Sequence, residues 1–339
     1  MEIELEHQVL QLDAATHTAH SSEEPDSATF RIVEDMLALA HERGHTVRLF
    51  MWGDEARRMT PAGLPGGING FVDRRMQRYL CARLGPLPGW TMNYGFDLEE
   101  WVTSQEVGDW AAYMTAHMGW PHLLAARKRS HPNVPLDAND ERPTSGFYDI
   151  AVEELDASSN RPVVFDRRFI HLRDGVWDME TTRRALWQFT LAGGAGAVWG
   201  HEGTEYPAKE QLRTFHTFWH TRERFDLDLV RANAVTDGWG LRAPDGKRYV
   251  AYAEGVSSLD LDLGGAAEPL AAVAVDTLAS YAEIDLGVLG KTSHTLSLPH
   301  TSDWAIAASA PVTIPALPPA GLLLLATLLL ASAGRLYGR

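Results

Sequence analysis

Residues 89–101 read GWTMNYGFDLEEW, and the reading of this stretch decides the fold. Trp90, Met92 and Tyr94 alternate with Thr91 and Asn93, the period of two that marks a β-strand. Gly95 breaks the pattern, and Asp97, Glu99 and Glu100 then arrive at the start of a helix-like run. Carboxylates placed where a strand gives way to a helix stand on the rim of an α/β fold. In that class the rim at the carboxyl ends of the strands is where chemistry is done. A plainer reading has Asp97 capping the helix, with Glu99 and Glu100 favouring its positive end.

Working outward, the same alternation of strand and helix recurs from about residue 1 to 225. Strands are expected near residues 3, 47, 90, 120, 163 and 196. Between them helices are expected at 27–43, with Phe30, Val33, Leu37, Leu39 and Ala40 as the apolar side, and at 73–84, 102–118, 179–192 and 208–225. Residues 130–145 read as loop, and 147–155 reads equally as strand or short helix. The Gly-rich GLPGGING at 63–70 lacks the Lys-Ser/Thr of a phosphate loop and reads as a plain loop. Four strands are followed by acids: Asp54/Glu55, Asp97, Asp166 and Glu202. A series of this kind predicts a (β/α)8 TIM-type barrel with a site on its rim. Eight units are needed and about six are legible, so the first one or two βα units are expected to be lacking.

From residue 233 the texture changes to short alternating runs separated by turns, as at 238–242, 248–254, 259–263, 272–275, 280–286, 295–298 and 304–307. This predicts a small antiparallel β-sandwich. The expected division is a partial barrel at 1–232, a sandwich at 233–309, and a linker with a transmembrane helix at 310–339. Residues 316–334 hold no charge and are followed by Arg335 and Arg339, which reads as a membrane anchor with its basic end in the cytoplasm. The acidic opening MEIELEHQVLQLD lacks the form of a signal peptide. An anchor of that orientation puts the body in the periplasm or on the cell surface and calls for an export signal upstream. The alternative is a tail-anchored cytoplasmic protein.

The 339 residues carry a formal net charge of −15, which argues against nucleic acid as a partner. The single cysteine, Cys81, excludes an intrachain disulfide and a cysteine-based metal site. His201, Glu202 and the rim aspartates could group around a metal, but no HExxH or tight His pair supports a site there, and no cofactor and no metal is expected.

Residues 90–101, GWPHLL at 119–124, RPVVFDRRF at 161–169 and TRRALWQFTLAGGAGAVWG at 182–200 together resemble the apiosidase-like glycoside hydrolases. These are bacterial (β/α)8 barrels with a C-terminal collagen-binding-like β-sandwich, which residues 238–308 resemble. The tail IPALPPAGLLLL…GRLYGR is similar to exosortase-type sorting tails, which implies a sorting protease as partner. The resemblance implies a catalytic pair, an aspartate after strand 4 and an acid, usually Glu, after strand 7. Carried over, these are Asp97 as general acid and Asp166 as nucleophile or base, with Glu99 as reserve acid. Asp166 is one methylene short of the expected Glu, about 1.5 Å of reach, and a misplacement near 1 Å can cost about a hundredfold in rate.

Trp52 and Trp199 are candidate sugar platforms. Tyr94, His122 and Arg127 are candidate substrate contacts, and His201 and Glu202 are placed on the rim. His122 reads equally as a hydrogen-bonded core residue and Arg127 as the partner of nearby acids. The function implied is hydrolysis of an oligo- or polysaccharide by two carboxylates. The alternative is a membrane-anchored carbohydrate- or matrix-binding protein derived from such a barrel.

Overall fold

The computed structural model describes residues 25, 27–53, 60–127, 136–139, 146–157, 162–165, 179–197, 208–221 and 228–310. Six strands, β1 (Val47–Phe50), β2 (Trp90–Asn93), β3 (Leu124–Arg127), β4 (Leu136–Asn139), β5 (Val163–Phe165) and β6 (Gly196–Ala197), form one parallel sheet. Their spatial order is their order in the chain. A doubly wound sheet reverses direction at a switch point, and this one never does, so it is an arc of a barrel. The helices are α1 (Ser27–Glu42), α2 (Phe71–Leu84), α3 (Ser104–His117), α4 (Phe147–Ala157), α5 (Met179–Leu191) and α6 (Lys209–His220).

The α1 helix shows why this layer forms. Phe30, Val33, Leu37 and Ala40 recur at helical spacing and are buried, whereas Leu39 is turned outward and half exposed, contrary to the expected apolar side. The α3 helix starts at a capping box, Thr103 with Glu106. Val47, Leu49 and Met51 join Trp90, Met92, Tyr94, Leu124 and Ala126 in one core with α1–α3. The intervening residues Arg48, Phe50, Asn93 and Ala125 fall on the opposite face by the period of two. That face is the interior of the arc.

Several expectations change. The strand at 136–139 lies inside the expected loop, and its LDAN sequence is too short and polar to show a strand period. Residues 147–157 are helix. The strand expected over 120–126 begins only at Leu124. The strand expected near residue 3 and the membrane segment 316–334 lie outside the described residues. Among the described residues no helix is long and apolar enough to cross a membrane.

The second half is a single antiparallel sheet in the order β11-β10-β12-β9-β8-β7. Its strands are β7 (Val230–Arg231), β8 (Trp239–Arg242), β9 (Arg248–Asp262), β10 (Leu270–Asp276), β11 (Ile284–Leu289) and β12 (Ser293–Ser309). β9 and β12 each run through what the sequence presents as two strands. Gly255 at φ 64 and register shifts between Ser297 and Trp304 interrupt their alternation without ending the pairing. One face, with Val250, Tyr252, Val273, Ala305 and Ala307, packs on α4–α6 through Phe147, Trp187, Phe218 and Trp219. The other face, with Tyr249, Ala251, Ala274, Trp304 and Ile306, meets Leu259, Leu261, Leu296 and Leu298 of the outer halves of β9 and β12. The sheet therefore supplies both layers of its own core.

The two halves are joined at Asp303, 1% exposed. It accepts from Arg183 Nη2 at 2.5 Å, Arg184 Nε at 2.8 Å and Nη2 at 3.0 Å, and the Gly255 N–H at 2.8 Å. Burial pushes its pKa up, but Arg184, Arg183 and the Gly255 amide outweigh burial and hold it below the ordinary 3.8. A depressed carboxylate stabilises the fold above its unfolded pKa, and that stabilisation is lost as pH falls through the folded value. Replacing Asp303 with Asn should cost about 3–5 kcal/mol in urea denaturation at pH 7, because Arg183 is then left buried without a counter-charge. The gap between variant and wild type should narrow below about pH 4.

Candidate active site

The rim is best seen at the ends of β1 and β2. The ladder between them continues past the strands: Met51 N–H donates to Asn93 O, Trp52 N–H to Tyr94 O, and Phe96 N–H to Gly53 O. Gly95 is required by this approach, since a Cβ there would lie 2.6 Å from Trp101 Cζ2 and 3.1 Å from the Gly53 and Trp52 carbonyls. Asp97 follows directly, half-buried, with φ 40 and ψ 49. The left-handed region is uncommon for a side-chain-bearing residue, Asp being among those that tolerate it best. The side chain does not cap the 3-10 turn Leu98–Glu100 that it precedes. The capping reading therefore falls, and Asp97 is held on the rim by a strained backbone. Glu99 lies two residues on in that turn and is exposed.

Beneath Asp97 the inner face carries Phe50 and Phe96, stacked with centroids 3.9 Å apart, and the buried Arg48, whose guanidinium lies 5.6 Å from the Phe50 centroid. Asn93 is fully buried on that face, and neither its amide nitrogen nor its oxygen has a hydrogen-bond partner among the described residues. A buried amide in that state is costly and calls for an explanation. Sequence reasoning passed over Asn93, and only its place in the alternation, opposite Met92 and Tyr94, could have shown that it faces inward.

Three proposed contacts move away from the groove. Trp52 is not a platform: it is 2% exposed, and its Nε1 donates to Asp73 Oδ1 at 3.0 Å. Tyr94 belongs to the helix-facing core, and its hydroxyl donates to Asp73 Oδ2 at 2.5 Å. His122 lies at the opposite end of the sheet, stacked on Trp90 and bonded to the Gly85 and Trp90 carbonyls. In each case the larger free-energy gain comes from packing an aromatic ring and pairing its polar edge inside. Arg127 ends β3, and only its backbone is described. Asp166, Trp199, His201 and Glu202 lie outside the described residues, as do Asp54 and Glu55. β5, which Asp166 follows, stands three strands from β2, the offset between the fourth and seventh strands of a barrel. Among the described residues no three His, Cys, Asp or Glu side chains group as metal ligands.

Asp73, fully buried in α2, ties the rim together. Besides Trp52 and Tyr94 it receives the Asn69 backbone N–H at 2.8 Å. Asn69 sits at φ 56 in the Gly-rich loop and also donates from its side chain to the Glu106 carbonyl. The loop expected to be plain thus fixes the ends of two strands against α2 and α3. Burial raises the Asp73 pKa, against the lowering effect of Tyr94 and its other donors.

No family model matches the sequence, and no curated protein sequence matches it. Solved structures do match in fold. A glycoside hydrolase family 5 protein from Bacteroides vulgatus superposes with TM-score 0.62 at 14% identity, covering 83% of this chain and 74% of the other. A chain described as a glycoside hydrolase gives 0.59 at 12%, covering 83% and 89%. A family 30 endoxylanase from Clostridium papyrosolvens gives 0.55 at 12%, covering 91% and 88%. The chain has the α/β-barrel fold of glycoside hydrolases, followed by an antiparallel sheet.

Replacing Tyr94 with Phe removes one donor from the buried Asp73 carboxylate and should cost about 1.5–3 kcal/mol of stability at pH 7. A carboxylate with a raised folded pKa favours the fold at low pH, and that contribution is lost as pH rises from the unfolded value through the folded one. Loss of the donor raises the folded value further. Urea midpoints from pH 4 to 8 should therefore fall more steeply with pH in Tyr94→Phe than in wild type.

Proposed function

We propose that the chain is a glycoside hydrolase acting on a plant or microbial polysaccharide. The observation that carries this reading is Asp97, set on the rim of a glycoside-hydrolase-type barrel by a left-handed backbone and not used as a helix cap. Asp97 is the general acid, and Asp166, following β5, is the nucleophile or base. Glycoside hydrolysis needs two such groups flanking the scissile bond, and their separation decides retention or inversion. Asn93 and Arg48 line the interior below Asp97. A buried amide there is suited to hold a sugar hydroxyl, and the Phe50–Phe96 stack keeps that wall apolar. Trp199, His201 and Glu202, in the segment after β6, and Arg127 at the end of β3 remain the proposed substrate contacts, with Glu99 the reserve acid.

The finer relationship we propose is to the apiosidase-like hydrolases, with residues 316–334 as a membrane anchor in a sorting tail and the body outside the cytoplasm. The resemblance of residues 90–101, 161–169 and 182–200 supports the first, and the uncharged run before Arg335 supports the second. A non-catalytic carbohydrate-binding role is favoured by one specific feature, the shorter Asp at 166 where Glu is expected.

Aryl glycosides and branched pectins, incubated with wild type, Asp97→Asn and Asp166→Asn, decide between the two. Turnover that drops by about a hundredfold or more in both variants supports the hydrolase. Saturable binding of the polysaccharide without turnover in all three proteins overturns it and leaves the binding role.

A further inference from the structure

A cavity of about 340 Å3 lies away from the barrel rim, between α4, α5 and the antiparallel sheet. Its walls bring together Asp149 of α4, Thr181, Arg184 and Gln188 of α5, Trp239 of β8 and Glu254 of β9. Its volume is at the small end of the range for small-molecule sites, roughly 300–1,000 Å3. We propose that this junction cavity is a second binding site, distinct from the rim, for a single neutral hydroxylated ring of the monosaccharide kind.

The chemistry of the walls selects that class. Arg184 is the cation of the cavity, and its charge is already taken. It pairs with Asp303 at 2.8 Å, with Glu180 at 2.6 Å and with Glu254 at 3.4 Å. An anionic ligand would meet carboxylates with no cation to spare. Acceptors are in surplus. Asp149 is exposed, and its carboxylate makes no hydrogen bond among the described residues. Glu254 accepts from the Gln188 amide at 2.8 Å and lies 3.4 Å from Arg184. Burial raises its pKa above the ordinary range, which again disfavours more negative charge. Hydroxyl groups donate to such acceptors without bringing charge.

The remaining wall is aromatic and polar at its edge. Trp239 stacks on Tyr148 at 5.4 Å and on Tyr252 at 6.0 Å, so the indole is fixed. A pre-oriented indole beside paired carboxylate and amide groups is the mixture that holds a sugar ring. Arg184 and Glu254 are anchored by the union of the two halves, since Asp303 holds Arg184 and Arg184 pairs with Glu254. The site exists only where barrel and sheet meet.

The test is titration of the full chain with methyl β-xyloside, methyl β-glucoside and methyl β-mannoside, and with glucuronate, followed by saturation-transfer NMR and calorimetry. At least one neutral glycoside should bind saturably and glucuronate should not. Trp239→Phe, which trims the aromatic wall and removes the N–H, and Gln188→Leu should each weaken binding about tenfold. Near-UV circular dichroism should show both variants folded. Asp97→Asn should bind as wild type, so a failure of the hydrolase reading leaves this result standing. Absence of saturable glycoside binding, glucuronate binding as tight as the glycosides, or unchanged affinity in a folded Trp239→Phe would overturn the proposal. So would a loss of binding confined to Asp97→Asn, which would place the sugar on the rim.

Discussion

Asp303 holds the two halves of the molecule to each other. It is a carboxylate with almost no exposure, inserted between two arginines of a barrel helix and a backbone amide of its own sheet. Neither Arg183 nor Asp303 could be buried alone, because an uncompensated ion in a dry interior is expensive. Together they are tolerated, and their hydrogen bonds fix the rotation of α5 against the sheet. Around this pair the apolar contacts follow: Trp187 stacks on Tyr252 at 5.1 Å, and Thr214 donates to the Ala279 carbonyl. The hydrophobic effect supplies most of the association, and the ion cluster decides its geometry.

A second buried carboxylate organises the other half in a different way. Asp73 makes no ion pair among the described residues and is satisfied by neutral donors from Trp52, Tyr94 and Asn69. These come from the ends of β1 and β2 and from the Gly-rich loop, so one side chain registers three segments under the rim. The two acids show the two ways a carboxylate can be kept inside. One is held below its ordinary pKa by arginines, and the other is raised by burial that neutral hydrogen bonds only partly offset. The rim residue Asp97 rests on this scaffold, and its left-handed backbone is held by the ladder that continues to Phe96 and by the close contact of Gly95 with Trp101.

The functional reading depends on where these supports end. Trp52, Tyr94 and His122 are aromatic or imidazole side chains near strand ends, the features that suggest sugar contacts, and all three belong to the packing. Among the described residues, what faces the barrel interior near Asp97 is sparser: Arg48, Phe50, Phe96 and a buried Asn93. Among the described residues that face carries two polar side chains, Arg48 and Asn93, each desolvated by its burial.

The linear order of residues determined the alternation of strands and helices, the parallel sheet of the first half, the antiparallel character of the second, and the acid that stands after β2. All of these are local properties, written in periods of 2 and 3.6 and in the placing of Gly95 and Thr103. Tertiary structure alone decided which side of each strand looks inward. Trp90, Met92 and Tyr94 form a clear stripe in the sequence, but a stripe does not say whether helices or the barrel interior will cover it, and here it was helices. It also decided that β9 and β12 run through their polar interruptions, because their pairing partners continue across the bulges. The strand at 136–139 is paired on both sides though it carries no pattern of its own. The same is true of the Asp303 cluster and the cavity beside it, whose residues lie up to 120 positions apart in the chain. Contacts of that separation leave no local periodicity, since they are selected by the free energy of the assembled fold.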